Sequence, residues 1–255
     1  MNHKILALDT ASERGSAALL EDTELRAEIR SNAVTGRSGF LLDAVDFLLR
    51  REGWRMSDLT LIASGIGPGS FTGIRVCAAT GIGLAQSLGI PFAGISGLDV
   101  LARRAADARI SGHIAVLIDA RRDQFYFAGY ESKNGRIRKL GKPALIDAAG
   151  IGHYAATADW ITGDLDEGRE RVAGKYFPGR ARWVPVDLFL AEGIGRLGLE
   201  RKRIWRSGDF LTAEPLYIRP PDAVKNKSWQ PPKAPESRLA AEAKTVEAQC
   251  LASQR

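Results

Sequence analysis

The sequence is poor in the residues that most often bind metals or form disulfides. Its two cysteines, Cys77 and Cys250, are far apart and form no CxxC pair. None of its three histidines, His3, His113 and His153, has a carboxylate or another histidine four residues further on, and HxxxH does not occur. The residues therefore predict no metal site, and the two isolated cysteines are typical of a reducing compartment.

Long apolar runs are missing as well. The sequence contains no stretch of about 18 apolar residues, so we expect no transmembrane helix. The run Ile5–Leu8 is too short for the core of a signal peptide, and no small-residue cleavage site follows it. At 255 residues, 45% hydrophobic and 26% charged, the chain has the composition of a soluble protein with a full-sized core. We expect it to be cytoplasmic and to make no membrane contact.

The positive charge of the chain is unevenly distributed. Its net charge is +6, from 36 Lys and Arg against 30 Asp and Glu. Basic residues are concentrated in RKRIWR (201–206) and in the polar, proline-rich C-terminal segment. A basic tail can bind nucleic acid by neutralising phosphates, although it is more often a solvated chain end. We expect an ordered part up to Val224 and a disordered basic tail over 225–255.

The sequence indicates two similar units. ILALDTASERGSAALL (5–20) has a buried strand ending at Asp9, a turn and a second strand. AVLIDARRDQFYFAGY (115–130) repeats this arrangement, with Asp119 at the end of its first strand. Strands alternate with helices elsewhere, as around Leu41–Leu49. We predict an α/β protein with an N-terminal lobe, 1–107, and a C-terminal lobe, 108–224, whose end packs back on the first lobe.

The glycine-rich segment GIGPGSFTGIRV (65–76) lies between a predicted strand and a predicted helix. It lacks the lysine of a P-loop, the spacing of a dinucleotide-binding loop and the pattern of a nucleophile elbow. Ser70 or Thr72 can cap the following helix, whose free N–H groups can bind an anion. Equally, the glycines can have a purely structural reason, because positive φ angles and close backbone approach both favour glycine. The residues alone leave both interpretations open.

The helix predicted after this loop has a surface of small side chains. A glycine inside a helix costs about 1 kcal/mol relative to alanine, so its glycines must be offset by close packing. The packing neighbour belongs either to this chain or to a second chain. The small residues are Ala78, Ala79, Gly81, Gly83 and Ala85.

Three segments resemble the TsaB (YeaZ-like) family: ILALDTA, SGIGPGSFTGIRVCAATGIGLAQSLGIPFAGISGLDVLA and LIDARRDQFYFAGY. The resemblance runs from about residue 3 to 221, and PLYIRPP (215–221) resembles the closing segment of the family. This family is the bacterial partner of TsaD in making the threonylcarbamoyladenosine (t6A) modification of tRNA. The resemblance implies the two-lobed, ribonuclease H-like α/β fold shared by actin, sugar kinases and Hsp70.

The resemblance also implies a non-catalytic subunit, because TsaB-like proteins lack the metal-binding histidine pair of TsaD. The implied partners are a TsaD-like catalytic subunit in a heterodimer, a TsaE-like ATPase, and tRNA through the complex. A homodimer is implied when the chain is alone. The resemblance firmly implies no cofactor. Binding of ATP or ADP is implied only within the complex.

Two groups of site residues follow from the resemblance. The family's contact with TsaD uses two helices, here Ser38–Glu52 and Gly73–Leu88. The interface residues are Leu41, Leu42, Val45, Leu48, Gly73, Cys77, Ala78, Gly81 and Ala85. A vestigial or shared anion or nucleotide site comprises Asp9, Thr10, Gly67, Gly69, Ser70, Thr72, Arg75 and Asp119.

The chain departs from the family pattern at several positions. Arg37 and Asp43 stand where many members have histidine and proline, which weakens the transfer of polar contacts at the start of the first helix. Leu165 replaces the second glycine of a Gly-Asp-Gly motif that begins at Gly163, which disfavours nucleotide binding by this chain.

Two other functions remain open from the residues. One is a nucleotide-dependent enzyme of the same fold that uses Asp9, Ser70 and Asp119, all placed at strand or helix ends. The other is a protein that binds tRNA directly through its basic tail.

Overall fold

The computed structural model describes residues 2–12, 14–32, 37–165, 174–177, 179, 181–201 and 216–219. These residues all belong to one compact unit that ends at Arg219. The side chains of Arg37 and Ser38, most of RKRIWR and the predicted tail, 225–255, lie outside the described part. None of the helices in this part is long and apolar enough to cross a membrane.

The first sheet is organised around a strand whose side chains from Ile5 to Asp9 are all buried. Such burial on both faces requires a layer of helices on each side of the sheet. The strand order is β3-β2-β1-β4-β5, with β1 antiparallel to β2 and parallel to β4. The strands are β1 (Lys4–Asp9), β2 (Gly15–Glu21), β3 (Glu24–Ser31), β4 (Leu61–Gly65) and β5 (Phe92–Ile95).

Two helices pack side by side on one face of this sheet. Helix α1 (Arg37–Glu52) is followed by a 3-10 turn at Met56–Asp58, and helix α2 (Phe71–Leu88) follows β4. Leucines of α1 and the small residues of α2 form a core with the apolar side chains of β1 and β2. Helix α2 begins at a Ser70 cap and ends at Gly89, whose φ of 66° is left-handed.

The second sheet repeats the topology of the first. Its order is β11-β10-β6-β7-β8, and β6 is antiparallel to β7 and parallel to β10, as β1 is to β2 and β4. The strands are β6 (Gly112–Asp119), β7 (Gln124–Lys133), β8 (Arg136–Lys139), β9 (Ala144–Asp147), β10 (Trp160–Asp164) and β11 (Arg182–Trp183); β9 also pairs with β7 and leads into helix α4 (Ala148–Tyr154).

The two halves exchange helices. Helix α3 (Gly97–Asp107) follows β5 but packs on the second sheet, whereas helix α5 (Ala191–Glu200) follows β11 but packs on the first. Two ion pairs join α3 to α5: Arg103 with Glu200 at 3.1 Å and Arg104 with Glu192 at 3.2 Å. The duplicated sheets confirm the predicted ribonuclease H-like fold of actin, sugar kinases and Hsp70. The division into lobes 1–107 and 108–224 stays a prediction.

Candidate functional site

The glycine-rich loop is held in place by backbone hydrogen bonds from both sides. The N–H of Ser70 donates to the carbonyl oxygen of Ala11 at 2.6 Å, and the N–H of Gly97 donates to that of Gly67 at 2.9 Å. Gly67 has a φ of 99°, which favours glycine, and a Cβ at Gly69 would overlap the carbonyl of Ala11. The positive φ of Gly67 and the close backbone approach at Gly69 therefore account for both glycines without a ligand.

The polar side chains around the loop are used within the chain. The Ser70 hydroxyl accepts the N–H of Gly73 at 3.3 Å, which makes Ser70 and not Thr72 the cap of α2. The buried Thr10 hydroxyl donates to the carbonyl oxygen of Gly73 at 2.9 Å. Thr10 and Ser70 of the predicted anion site thus lie together beside Gly73, but both hydroxyls are already bonded to the backbone.

Asp9 lies beneath the loop and is only 2% exposed. Its carboxylate accepts the N–H of Ala11 at 3.3 Å and packs so closely against Gly65 that a Cβ there would overlap it. Its pKa is raised from 3.8 to about 7, mainly by burial and in smaller part by the nearby carboxylate of Asp164, while the hydrogen bond from Ala11 and the charge of Arg104 act in the opposite direction. Asp9 is therefore enclosed, and it is protonated in a large share of molecules near neutral pH.

The corresponding strand ends of the second sheet also carry carboxylates with partners in the chain. Asp119 accepts the N–H of Arg121 at 2.8 Å, and the side chains of these residues approach to 3.9 Å. Asp164, at the end of β10, pairs with Arg14 at 2.6 Å. Leu165 packs partly buried against the core of the second sheet. No group of three or more metal-ligating side chains occurs among the residues that the structure describes.

Arg75 lies outside the enclosed site, on the exposed start of α2. Its Nε donates to the hydroxyl of Tyr217 at 3.0 Å, and its guanidinium lies 3.6 Å from the centroid of the Phe71 ring. The N–H of Leu216 donates to the carbonyl oxygen of Ile66 at 2.8 Å, so the closing segment 216–219 lies against the glycine loop. Sequence reasoning missed Tyr217, although PLYIRPP could have pointed to it.

The predicted interface residues are almost all buried inside the chain. Of the nine, only Leu42 is exposed, at 55%. The eight buried residues are Leu41, Val45, Leu48, Gly73, Cys77, Ala78, Gly81 and Ala85. These eight residues pack inside the chain's own core and leave little surface for a second chain, and their assignment to a partner interface stays a prediction. A contact of the helix pair with a partner stays a prediction.

Gly81 shows why the inward side of α2 carries small residues. A Cβ on Gly81 would meet the Ser64 hydroxyl and would lie 2.9 Å from the ring of Phe92, both in the sheet below. Gly83, two residues later, has nothing within 4 Å of the position of a Cβ. The small residues of α2 therefore lie on two sides of the helix: Gly81 packs against the sheet, whereas Gly83 faces outward.

The exposed side of the two helices is the surface that a partner can reach. We call Leu42 and Phe47 of α1 together with Ala79 and Gly83 of α2 the outward face. Leu42 is 55% and Phe47 60% exposed, and Ala79 and Gly83 are exposed as well. These exposed positions offer large apolar side chains on α1 and room for close backbone approach on α2.

Several known proteins are similar to this chain. A family model described as "TsaD: tRNA N6-adenosine threonylcarbamoyltransferase" matches residues 37–158. The tRNA threonylcarbamoyladenosine biosynthesis protein TsaB of Escherichia coli is 37% identical over 139 residues, which are 52% of this chain and 57% of that protein. The Bacillus subtilis TsaB is 35% identical over 136 residues, which are 53% of this chain and 58% of that protein. The match spans little more than half the length of these relatives.

Longer matches cover most of the chain. An uncharacterized protein of Mycobacterium tuberculosis is 31% identical over 224 residues, which are 86% of this chain and 93% of that protein. The structure of YeaZ from Pseudomonas aeruginosa has a TM-score of 0.69 and 28% sequence identity, over 84% of this chain and 99% of that one. A further Pseudomonas aeruginosa structure, of a protein with similarity to peptidase YeaZ, has a TM-score of 0.71 and 28% identity, over 85% of this chain and 100% of that one.

Proposed function

This chain belongs to the TsaB (YeaZ) family, and on that premise we propose that it takes part in t6A synthesis as a non-catalytic subunit. In this proposal it binds a TsaD-type catalytic protein and keeps it in a working state. The observation that carries the proposal is the contrast between an enclosed strand-end site and an exposed apolar helix face.

The state of the strand-end carboxylates supports a non-catalytic role. Asp9 is enclosed, Asp119 is bonded to its own turn, and Asp164 is paired with Arg14. A catalytic acid or base must reach the reacting group within hydrogen-bond distance. Each of these carboxylates instead satisfies a contact inside the chain, which disfavours the alternative of an enzyme of the same fold.

The outward face supports docking of a partner. Leu42 and Phe47 expose large apolar side chains, which gain free energy when they are buried. Ala79 and Gly83 leave room for a second helix to approach α2 closely. The expected occupant is a TsaD-type chain, because the TsaD model matches this chain over both helices and the two proteins therefore share this layer.

The same similarity explains the expected behaviour of the chain alone. A face that meets an equivalent face on a homologue can also meet its own copy around a two-fold axis. We therefore propose a homodimer that gives way to a heterodimer when the TsaD-type protein is present. The proposed complex also includes a TsaE-like ATPase and binds tRNA, and ATP or ADP is held only within that complex. We propose a cytoplasmic location for it.

Light scattering after size-exclusion chromatography tests the proposal. The chain, the TsaD-type protein of the same organism and their equimolar mixture would be run separately. We expect a homodimer for the chain alone and a heterodimer for the mixture. A mixture in which both proteins keep their separate masses at micromolar concentration would contradict the proposed function.

A further inference from the structure

Two exposed aromatic rings lie together where the glycine loop enters α2. Phe71 is 49% and Tyr217 44% exposed, and their ring centroids are 5.7 Å apart with planes inclined at 40°. Arg75 fixes both rings, because its guanidinium lies over Phe71 and its Nε donates to the Tyr217 hydroxyl. The three side chains form a preorganised surface outside the core.

Basic side chains continue this surface along the closing segment. Arg219 donates from Nη2 to Oε1 of Gln124 at 2.7 Å and to the carbonyl oxygen of Arg121 at 3.3 Å. It therefore brings the turn after β6, where Arg121 and Arg122 are exposed, next to the segment that carries Tyr217. Asp119 and Asp123 lie on the same turn, and Asp119 is engaged with Arg121.

We propose that this surface binds single-stranded RNA. The aromatic–arginine row, defined as Phe71, Arg75, Tyr217 and Arg219, would stack unpaired bases on its two rings and place its two guanidinium groups near phosphates. The inference rests on the proposed function in one respect, since RNA is the substrate of the machinery to which the family belongs. The basic tail lies outside the row.

The chemistry of the row favours RNA over a protein partner. Unpaired bases stack on aromatic rings and on guanidinium planes, and arginine also neutralises the backbone. Ile218, the aliphatic residue between Tyr217 and Arg219, packs against the core and so adds little to the row. The outward face, by contrast, combines the apolar side chains of Leu42 and Phe47 with the small residues Ala79 and Gly83, and none of its four residues is charged. The fixed rings also lose little conformational freedom when a base stacks on them.

Fluorescence anisotropy with labelled single-stranded RNA of about ten nucleotides tests the row. The full chain would be measured alone and in complex with the TsaD-type protein. Tyr217→Leu and Phe71→Leu keep an apolar side chain but remove the stacking ring, so each should weaken binding by at least about fivefold. Tyr154→Leu is the matched control, because Tyr154 is an exposed aromatic residue at the end of α4, outside both the row and the outward face; it should leave RNA binding unchanged.

The salt dependence of binding tests the role of the arginines. Loss of one phosphate contact lowers the slope of log K against log salt by about 0.7 for single strands. Arg75→Gln should show this change, whereas Arg50→Gln, at an arginine of α1 whose side chain is 79% exposed, should not. Crosslinking of the unmodified protein to RNA that contains 4-thiouridine should label the row even if a variant fails to fold.

The inference is overturned if Tyr217→Leu binds RNA as tightly as the wild type, or if crosslinks fall outside the row. It is also overturned if the row variants no longer bind the TsaD-type protein while their RNA affinity is unchanged, since the row would then be a protein-binding surface. The proposed function fails separately: a wild-type chain that binds RNA through Tyr217 but never associates with the TsaD-type protein would retain this inference and lose that function.

Discussion

Arg14 and Asp164 form an ion pair between the two halves of the duplicated fold, with 2.6 Å between Nη1 and Oδ1. Arg14 follows β1 of the first sheet, and Asp164 ends β10 of the second. The arginine offsets the charge of a carboxylate that lies near the enclosed Asp9. The ion pair therefore joins the two sheets beside Asp9. Its two charges neutralise each other and are not available to a ligand.

A double-mutant cycle of Arg14→Ala and Asp164→Asn should give a coupling free energy of about 1 kcal/mol, because both side chains are partly shielded from water. Urea unfolding at pH 7 measures the four free energies. The pair Asp46–Arg50 is the control, since its side chains are 60% and 79% exposed. It should couple by at most about 0.5 kcal/mol. Equal coupling in both pairs would contradict a special role for Arg14.

Alanine at Gly81 and at Gly83 should change stability in opposite directions. Gly81→Ala places a methyl group against Ser64 and Phe92, and such overpacking should lower the free energy of unfolding by about 1–3 kcal/mol. Gly83→Ala adds a methyl group in open space and should raise it by up to about 1 kcal/mol through helix propensity. Urea denaturation curves test both variants. A stabilised Gly81→Ala would show that α2 does not pack on the sheet as described.

Asp9 should make the protein less stable as pH rises toward neutrality. Its pKa is about 7 in the folded chain and 3.8 unfolded, so between these values the folded state binds more protons. Stability from this group is fully present below about pH 4 and is lost as pH rises through 7, by up to about 4 kcal/mol.

Asp9→Asn removes the titration while it keeps an acceptor for the N–H of Ala11. The variant and the wild type should therefore have similar free energies of unfolding near pH 4, and the variant should be more stable by a few kcal/mol at pH 8. Urea unfolding at several pH values gives this difference directly. A difference that stays constant from pH 4 to 8 would mean that Asp9 is ionised throughout.

The thiol of Cys77 should be unreactive in the folded protein. Cys77 is buried and donates to the carbonyl oxygen of Leu8 at 3.2 Å, and burial raises its pKa to about 12. In a Cys250→Ser variant, a thiol reagent such as Ellman's should react at pH 8 only after denaturant is added. Rapid reaction without denaturant would show that α2 opens from the sheet readily.

Much of the fold follows from local patterns in the sequence. Buried apolar runs that end at Asp9 and Asp119 mark the first strand of each half, and the leucine spacing marks α1. The two strand–turn–strand units therefore indicate the duplication without a structure. The glycine loop is also recognisable, because a positive φ at Gly67 and close backbone approach at Gly69 both require glycine.

Other features depend on contacts between distant parts of the chain. Helix α2 carries small side chains on its inward and on its outward side. Its composition therefore does not show that Gly81 faces the sheet and Gly83 faces outward. Arg75 and Tyr217 are 142 residues apart, and no local pattern pairs them. The exchange of α3 and α5 between the sheets is likewise set by packing, since both helices have an apolar stripe that fits either sheet.

The central claim is that the outward face binds a TsaD-type protein. The most direct test is the dissociation constant of that complex for the wild type, Gly83→Ala and Gly83→Leu, measured by isothermal titration calorimetry. Gly83 lies in open space, so both variants should fold, but leucine would hold a partner helix away from α2. We predict binding close to wild type for Gly83→Ala and binding weakened at least about tenfold for Gly83→Leu, a loss of about 1.4 kcal/mol or more. Wild-type affinity in a folded Gly83→Leu variant would contradict the account.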